Sequence, residues 1–280
     1  MYSIKVIAEE SGIKPATLRK WEERYGFPMP VRNPNGARSY TDQDLNNLKS
    51  IKAMIDQGVR PSKIFSEKLV DTTTKKSAGV FAEEVEKIYS LAKEGLFEES
   101  LELLKSFSTS LSTLKFVETI CAPLAVKVGE GWASGDIPVY TEHAISEQIH
   151  AVLTINQSCF YDTGAPLAIL CTLSNEYHTL GLKMANAILN DAGCRTIYLG
   201  AGLPVSEISA AAATFQPEYV GISITTNTSP RIICEQISLL RSKLAPEISI
   251  LLGGAGCSYL RELPEGSEVV SELAKIYELI

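Results

Sequence analysis

The stretch from residue 167 to residue 181 reads LAILCTLSNEYHTLG, and it decides the fold of the second half of the chain. Its first seven residues predict a buried strand, and the residues that follow have the apolar spacing of a helix. Strands that alternate with helices in this way predict a doubly wound parallel sheet. We expect strands at 167–173, 195–199, 218–224 and 248–252, helices at 179–192, 204–215 and 230–244, and a last short strand and helix within 263–280.

The loop between the first strand and the first helix contains the spacing Glu-x-His-x-x-Gly, in residues 176 to 181. A histidine there projects from the carboxyl edge of the sheet, where such folds bind ligands. Glu176 is close enough to accept the Nδ1 proton of His178, which directs Nε2 towards a metal. Gly181 lets a bulky group approach the backbone at the helix start. A histidine with a purely structural role fits the same six residues, so other features have to separate the two interpretations.

Two later strand ends supply such features. Residues 217–226 predict a strand that ends in hydroxyl side chains, and residues 248–256 predict a strand that runs into a glycine pair. In this order, the three features resemble the cobalamin-binding domain family. The resemblance implies that His178 replaces the cofactor's own base on cobalt. It also implies that one slot holds the nucleotide tail of the cofactor and is lined by Ser223, Thr225, Gly253 and Gly254.

The composition is that of a globular protein. No run approaches the roughly 20 apolar residues that a membrane-spanning helix needs, and the first residues lack a signal-peptide pattern. The six cysteines are scattered, without a Cys-x-x-Cys pair. This pattern favours reduced thiols in a cytoplasmic protein over a disulfide framework or a zinc site.

Charge is distributed unevenly along the chain. Residues 1–65 carry 11 Lys and Arg against 7 Asp and Glu, whereas the remaining residues carry 15 against 26. A basic head on an acidic body indicates that only the head meets a polyanion.

The basic head has the pattern of a helix-turn-helix. Residues 3–10 predict a capped first helix, and residues 15–25 predict a second helix with a polar outer side. Arginines flank a turn near residues 32–38, as in a wing. Residues 16–28 and 36–41 closely resemble the MerR family of transcription regulators, which implies binding to operator DNA. The alternative is a helical protein-interaction module with solvated arginines. The expected DNA contacts are Thr17, Arg19, Lys20, Arg24, Tyr25, Arg38 and Tyr40.

Four units are expected along the chain. They are a MerR-type winged helix-turn-helix domain at 1–68, a polar linker at 69–80, a helical bundle at 81–163, and a Rossmann-like (flavodoxin-like) cobalamin-binding domain at 164–280. The apolar spacing in the bundle fits four helices. The expected fold class is therefore a multidomain α and α/β protein.

The bundle contains a further signature, because Trp132 is followed after nine residues by Glu142 and His143. A tryptophan at a helix end is commonly a core residue, and a Glu-His pair at a helix start is commonly a solvated first turn. Ahead of a cobalamin domain, however, the spacing resembles the CarH/LitR-type photoreceptor repressors. These are light-responsive MerR-family regulators that carry adenosylcobalamin, and the resemblance then covers nearly the whole chain.

That resemblance implies a mechanism. In this family the bundle covers the upper face of the corrin, and light breaks the cobalt–carbon bond. The chain is then expected to bind DNA in the dark as a tetramer built from dimers, and to fall apart in light. Trp132, Val139, Glu142 and His143 are expected to face the adenosyl group. Ala133 is a departure, since some members have a histidine there that takes the upper cobalt position after illumination.

Other functions share parts of this pattern. A corrinoid carrier protein for methyl transfer has the bundle and the cobalamin domain, but it predicts no DNA-binding head. A light-independent cobalamin-sensing regulator has every unit, and the sequence leaves this alternative open. A regulator whose body binds a different ligand conflicts with the His178 motif. No general base, nucleophile or second metal cluster in the sequence indicates an enzyme.

Overall fold

The computed structural model describes residues 2–25, 27–28, 30–32, 38–56, 81–155, 164–225, 229–260 and 263–280. The predicted linker at 69–80 lies outside these residues. Within the described part of the chain, no helix combines the length and the apolar character that crossing a bilayer requires.

The head is a winged helix-turn-helix with its own apolar core. The first helix begins after Ser3, whose hydroxyl accepts a hydrogen bond from the Val6 backbone, and it ends at Gly12 in the left-handed conformation. Leu18 and Trp21 of the second helix are buried against Leu48 of the third. The three short strands pair antiparallel in the order β1-β3-β2. The elements are β1 (Tyr2–Ser3), α1 (Ile4–Ser11), α2 (Pro15–Tyr25), β2 (Val31–Arg32), β3 (Arg38–Tyr40) and α3 (Asp42–Asp56).

Residues 81–155 form a bundle of four helical segments, as the apolar spacing predicts. The third segment contains a π-helical turn, Val117–Cys121, between two α-helices. Ile88, Leu104, Leu124 and Ile145 are fully buried where the segments meet. The helices are α4 (Ala82–Lys93), α5 (Phe97–Ser110), α6 (Thr113–Phe116), α7 (Ala122–Ser134) and α8 (Val139–Ile155).

The second half of the chain is a parallel five-stranded sheet with the strand order β5-β4-β6-β7-β8. The chain passes from β4 to β5 on one side and then returns past β4 to β6, so the order reverses between β4 and β6. The elements are β4 (Leu167–Leu173), α9 (Leu180–Asp191), β5 (Arg195–Leu203), α10 (Val205–Phe215), β6 (Tyr219–Ser223), α11 (Pro230–Arg241), β7 (Ser249–Gly253), a 3₁₀ turn (Ala255–Tyr259), β8 (Ser267–Val269), a second 3₁₀ turn (Leu273–Lys275) and α12 (Ile276–Leu279).

The predicted fold class is confirmed, and the elements agree with the prediction to within a few residues. The largest difference is β5, which was expected to end at residue 199 and extends to Leu203. Gly200 and Gly202 interrupt its apolar pattern, but both adopt positive φ angles and the strand continues to pair with β4 through register shifts. Pairing with a neighbouring strand has therefore extended a segment that looks like a loop in sequence.

The bundle and the sheet share one apolar cluster. Phe116 and Leu124 of the bundle belong to the same buried cluster as Leu182 and Ile188 of α9, while α10 and α11 cover the other face of the sheet with a separate cluster. At the carboxyl end of α9, Asp191 accepts hydrogen bonds from the hydroxyls of Thr113 (2.7 Å) and Tyr277 (2.5 Å). The bundle and the C-terminal helix α12 are thus both bound to the same end of α9.

Candidate functional site

The Glu-x-His-x-x-Gly residues lie at the reversal point of the sheet. In α/β sheets of this kind, the crevice beyond the carboxyl ends of the strands at such a point is where ligands bind. Asn175 adopts the left-handed conformation directly after β4 and turns the chain into the loop that carries His178. The loop ends where α9 begins at Leu180. Thr225, which follows β6, meets this loop from the neighbouring strand end.

Glu176 is the centre of a hydrogen-bond network that holds this loop. One carboxylate oxygen, Oε1, accepts from the backbone N–H of His178 (2.9 Å) and contacts its ring Nδ1 (2.8 Å). The other, Oε2, accepts from the backbone N–H of Thr225 (3.0 Å) and from its hydroxyl. The side chain of Glu176 is buried, whereas that of His178 is 62% exposed. The arrangement fixes the imidazole ring while its outer edge stays accessible.

The pKa values agree with a permanently ionised carboxylate. Burial opposes ionisation of Glu176, but the hydrogen bonds from His178 and Thr225 outweigh it and lower its pKa to about 2. The hydrogen bond to Glu176 raises the pKa of His178 against the opposing effect of burial. A proton on Nδ1 is therefore held by Glu176, which makes Nε2 the nitrogen that can donate a lone pair to a metal.

The residues expected to line a tail slot differ in what they contact. Ser223 is buried at the end of β6, and its hydroxyl lies 3.5 Å from where a side chain on Gly181 would begin. Gly253 faces open space, whereas a Cβ on Gly254 would lie 2.4 Å from the carbonyl oxygen of Ile224. The close approach of the Ile224 backbone, which directly follows β6, therefore requires a glycine at position 254. Thr225 uses both its backbone N–H and its hydroxyl on Glu176.

Gln236 is a polar residue near these strand ends that the sequence analysis missed. A cavity of about 10 Å³ lies between the strand ends and α11, lined by Leu173, Ser174, Glu176, Ser223, Ile224, Ile233 and Gln236. The Gln236 side-chain oxygen Oε1 is buried and has no hydrogen-bond partner in the described part of the chain. Nothing in the sequence signals this, because one glutamine on an amphipathic helix looks like a surface residue.

The bundle presents an exposed elbow between α7 and α8. Trp132 at the end of α7 is 53% exposed, and Val139 and Tyr140 at the start of α8 are 49% and 68% exposed. Glu142 follows on α8, where its carboxylate accepts from the Ser146 hydroxyl (2.9 Å) and contacts Nδ1 of His143 (2.5 Å). A contiguous apolar patch on a protein surface is typical of a binding site.

The elbow and the His178 loop are electrostatically coupled. The negative charge of Glu142 helps to raise the pKa of His178, after the larger effect of Glu176. The helix α8, which carries Glu142, packs against α9, which begins at the end of the His178 loop. Glu142 and His178 thus lie on two helices that pack together, although 36 residues separate them in sequence.

Two side chains of α4 stabilise the elbow through hydrogen bonds to Asp136. The Tyr89 hydroxyl donates to one carboxylate oxygen of Asp136 (2.7 Å), and the Lys93 ammonium donates to the other (2.5 Å). The backbone N–H of Asp136 also donates to the carbonyl of Gly131 (2.8 Å). A Cβ on Gly131 would collide with the Tyr89 hydroxyl at 2.0 Å, so Tyr89 packs directly on the backbone next to Trp132.

Among the expected DNA-contacting cations whose side chains the structure describes, two are exposed and one is bonded within the head. Arg19 and Lys20 on α2 are exposed, and Thr17 is half-buried. The Arg38 guanidinium instead donates to Glu22 of α2 (2.7 Å), which ties the wing to this helix. The side chains of Arg24 and Tyr25 lie outside what the structure describes.

The prediction that Tyr40 contacts DNA is wrong. Its side chain is fully buried in the core of the head, and burial raises the pKa of its hydroxyl to about 12. On a strand of three residues, alternation cannot tell which side faces inward. Tyr40 is therefore a packing residue.

The ligand set at His178 fits a particular kind of metal. One imidazole, oriented by a carboxylate whose oxygens are already bonded, supplies a single metal ligand. Such a set suits a metal that brings its other ligands in a macrocycle. Cobalt in a corrinoid is such a metal, and the exposed edge of His178 gives a flat macrocycle an approach.

Comparison with known proteins agrees with this architecture. Residues 2–65 match the family model of the MerR HTH family regulatory protein, and residues 166–271 match that of the B12 binding domain. The HTH-type transcriptional repressor CarH of Myxococcus xanthus is 30% identical over 270 residues, which cover 91% of this chain and 89% of that protein. The repressor CarA of the same organism is 26% identical over 258 residues, covering 90% and 86%.

A solved structure is similar to the body. The monomethylamine corrinoid protein of Methanosarcina barkeri superposes with a TM-score of 0.56, over 71% of this chain and 98% of that chain. Its sequence is only 16% identical. The likeness therefore shows a shared fold of bundle and parallel sheet.

Proposed function

Because the chain belongs to the family of CarH-type, cobalamin-binding MerR regulators of transcription, we propose that it is a photoreceptor repressor that acts in the cytoplasm with adenosylcobalamin. It is a DNA-binding regulator with a cobalamin-binding domain. In our proposal it binds its operator in the dark as a tetramer built from dimers. Illumination dissociates the tetramer and releases the DNA.

The observation that carries the proposal is the Glu176–His178 pair at the reversal point of the sheet. When bound, adenosylcobalamin supplies a cobalt–carbon bond that light can break. His178 would hold the cobalt through Nε2. Glu176 would keep the ring in one orientation, since partners around a metal ligand fix its tautomer and direction.

The upper side of the site would belong to the bundle. We propose that Trp132 and Val139 pack against the adenosyl group, and that Glu142 and His143 form its polar contacts. The exposure of the elbow supports this role, since these side chains have apolar area to bury. Loss of the adenosyl group would remove those contacts and free the bundle to move.

The nucleotide tail would enter between the strand ends of the sheet. We propose that Ser223 provides a polar contact there, while Gly181 and Gly253 leave space for close approach. Thr225 and Gly254 shape the wall indirectly, because one bonds Glu176 and the other packs on the backbone of Ile224.

The head would bind DNA through α2 and the wing. We propose that Thr17, Arg19, Lys20 and Arg24 contact the operator, with Tyr25 and Arg38 beside them. Phosphate contacts give such binding its affinity and its salt dependence. Several weak heads joined in one tetramer bind far more tightly than separate heads, so a change of assembly alone would switch DNA binding.

The proposed domain limits follow the same division. The DNA-binding domain would span 1–68 and the linker 69–80, while the bundle would span 81–163 and the cobalamin domain 164–280. A flexible linker cannot transmit a rigid displacement, which is why we propose assembly as the carrier of the signal.

The test measures mass and DNA binding together. Protein without cofactor, protein loaded with adenosylcobalamin in the dark, and the same sample after green light are compared by light scattering, absorption and operator binding. We expect a tetramer only in the loaded dark sample, and loss of operator binding after light. Equal mass in all three samples would instead support a light-independent cobalamin sensor.

A further inference from the structure

His150 lies on α8, where the bundle packs on the sheet domain, and the proposed function gives it no role. Its helix contacts α9, and its side chain is only 20% exposed. The ring nitrogen Nε2 is buried and has no hydrogen-bond partner among the residues that the structure describes. The other ring nitrogen, Nδ1, lies 3.6 Å from a carboxylate oxygen of Glu147, which is too far for a hydrogen bond. The imidazole is therefore enclosed at Nε2 without a polar contact.

The charges around His150 oppose a further positive charge. Lys183 lies in the first turn of α9, where its ammonium is 3.9 Å from the centre of the Tyr198 ring on β5. Burial lowers the pKa of His150; the carboxylate of Glu147 opposes this effect, and the ammonium of Lys183 adds to it. Within the described residues, the other helices that pack on α8, which are α4, α5 and α7, add no charged group to this balance. In the packed form His150 is therefore neutral at neutral pH.

Protonation of His150 would disturb the contact between the bundle and the sheet domain. A protonated imidazole carries an N–H on both nitrogens, so the buried Nε2 would become a donor without an acceptor. Water reaches the ring when α8 and α9 separate, and its pKa then returns towards the ordinary value of about 6.5. The separated form thus binds the proton more tightly than the packed form. The contact keeps its full strength above about pH 6.5 and weakens as the pH falls below that value.

We propose that His150 makes the contact between the bundle and the sheet domain sensitive to protons, so that acid weakens this contact. The inference goes beyond the proposed function, because proton binding to His150 requires neither the cofactor nor light. Where the proposed function also holds, movement of the bundle in light takes up a proton, and the dark tetramer dissociates more readily at acid pH.

The first experiment uses the full-length protein without cofactor. Unfolding by urea is measured between about pH 8 and about pH 5.5, on either side of the ordinary histidine value. His150→Gln replaces the ring by a neutral amide that does not titrate. As the pH falls, we expect the unfolding equilibrium constant to rise severalfold more in the wild type than in His150→Gln. His143→Gln is the matched control, because it removes the other histidine of α8 from a position that is 73% exposed. It should keep the pH dependence of the wild type.

A second measurement follows the ring itself in the wild type, and so does not depend on how the variant folds. The chain has three histidines, His143, His150 and His178, and single variants assign their ring protons in NMR spectra. We expect the His150 signal to titrate below the ordinary histidine range. An ordinary titration of this signal would overturn the inference, since water would then already reach the ring. The same pH dependence of unfolding in the wild type and His150→Gln would also overturn it.

The third measurement joins the inference to the proposed function. Protein loaded with adenosylcobalamin is illuminated in weak buffer near the ordinary histidine pKa, and a pH indicator records proton uptake. We expect uptake in the wild type and less uptake in His150→Gln; equal uptake in the two would count against His150 as the group that binds the proton. If light changed neither mass nor proton binding while the first two results held, the proposed function would fail and the inference on His150 would stand.

Discussion

The lower and upper sides of the proposed site are built in opposite ways. Below, Glu176 is buried and holds His178 and Thr225 through both of its oxygens. Above, Trp132 and Tyr140 leave more than half of their side chains exposed. A side that keeps a ligand in place needs fixed bonds, whereas a side that responds to the ligand needs contacts that only the ligand completes. In the proposed function, binding and sensing are therefore assigned to different parts of the chain.

We expect the largest effect from removal of the His178 imidazole, because the lower side of the proposed site would then lose its metal ligand. His178→Ala should weaken cobalamin binding by about a hundredfold or more, beyond the range seen when groups around a ligand are changed. It should also lose the absorption features of a histidine-ligated corrinoid. The matched control is His143→Ala, which removes an upper histidine and should keep those features. Wild-type spectra and affinity in His178→Ala would show that His178 only stabilises its loop.

Removal of the exposed indole ring of Trp132 should affect the upper side of the proposed site alone. Trp132→Ala should still bind cobalamin through His178, but its dark and illuminated forms should have the same mass, because the bundle would no longer register the adenosyl group. Light scattering on loaded samples gives the measurement. Phe215→Ala removes a similarly exposed ring from α10 and should keep the light response. A normal light response in Trp132→Ala would move the sensor elsewhere.

A smaller change on the lower side would sharpen the comparison. Glu176→Gln puts an amide N–H₂ group among N–H and O–H donors, so the ring of His178 should lose its fixed orientation. We expect about a 10- to 100-fold loss of cobalamin affinity by absorption titration. Glu207→Gln, at an exposed position in the first turn of α10, should have no effect. An affinity that matched the wild type would mean that the ring needs no carboxylate.

The smallest effect is expected from the hydrogen bond between Tyr89 and Asp136, which holds the elbow. Tyr89→Phe removes one hydroxyl bond to Asp136, which should lower the free energy of unfolding by about 1 kcal/mol and reduce the light-dependent change in mass. Tyr219→Phe removes a comparable hydroxyl bond, to the Leu279 carbonyl, far along the chain from the elbow. It should cost similar stability in urea unfolding and keep the full light response. Equal responses in the two variants would reduce Tyr89 to a purely structural role.

Local features of the sequence predicted most of the fold. The apolar run at 167–173 gave the exact limits of β4, because a strand buried on both faces has a continuous apolar pattern. The pairing of Glu176 with His178 was also predicted, since two residues of separation keep them within reach. Short elements were harder, and Tyr40 was assigned to the wrong side of a three-residue strand.

Contacts between distant segments could not be predicted from one sequence. Thr225 was expected to line a cofactor slot, but it lies 49 residues from Glu176 and bonds to it. Gly254 reads as a wall for a flat base, and only the structure shows that the Ile224 carbonyl excludes a side chain there. Gln236 carries no pattern at all. Each of these depends on which strand ends become neighbours, which is a property of the sheet order.

In the proposed mechanism, the hydrogen bond at Asp191 limits how the bundle can move. Asp191 binds Thr113 of the bundle at the carboxyl end of α9, about 17 Å along that helix from the His178 loop. The apolar cluster that joins the bundle to α9 is non-directional and permits a small shift, whereas the hydrogen bond at Asp191 is directional. We therefore expect the loss of contacts at Trp132 to tilt the bundle, with the largest displacement at the elbow and the smallest at Asp191. In the proposed tetramer, such a rotation would break a subunit contact near the elbow and would leave contacts near Asp191 unchanged.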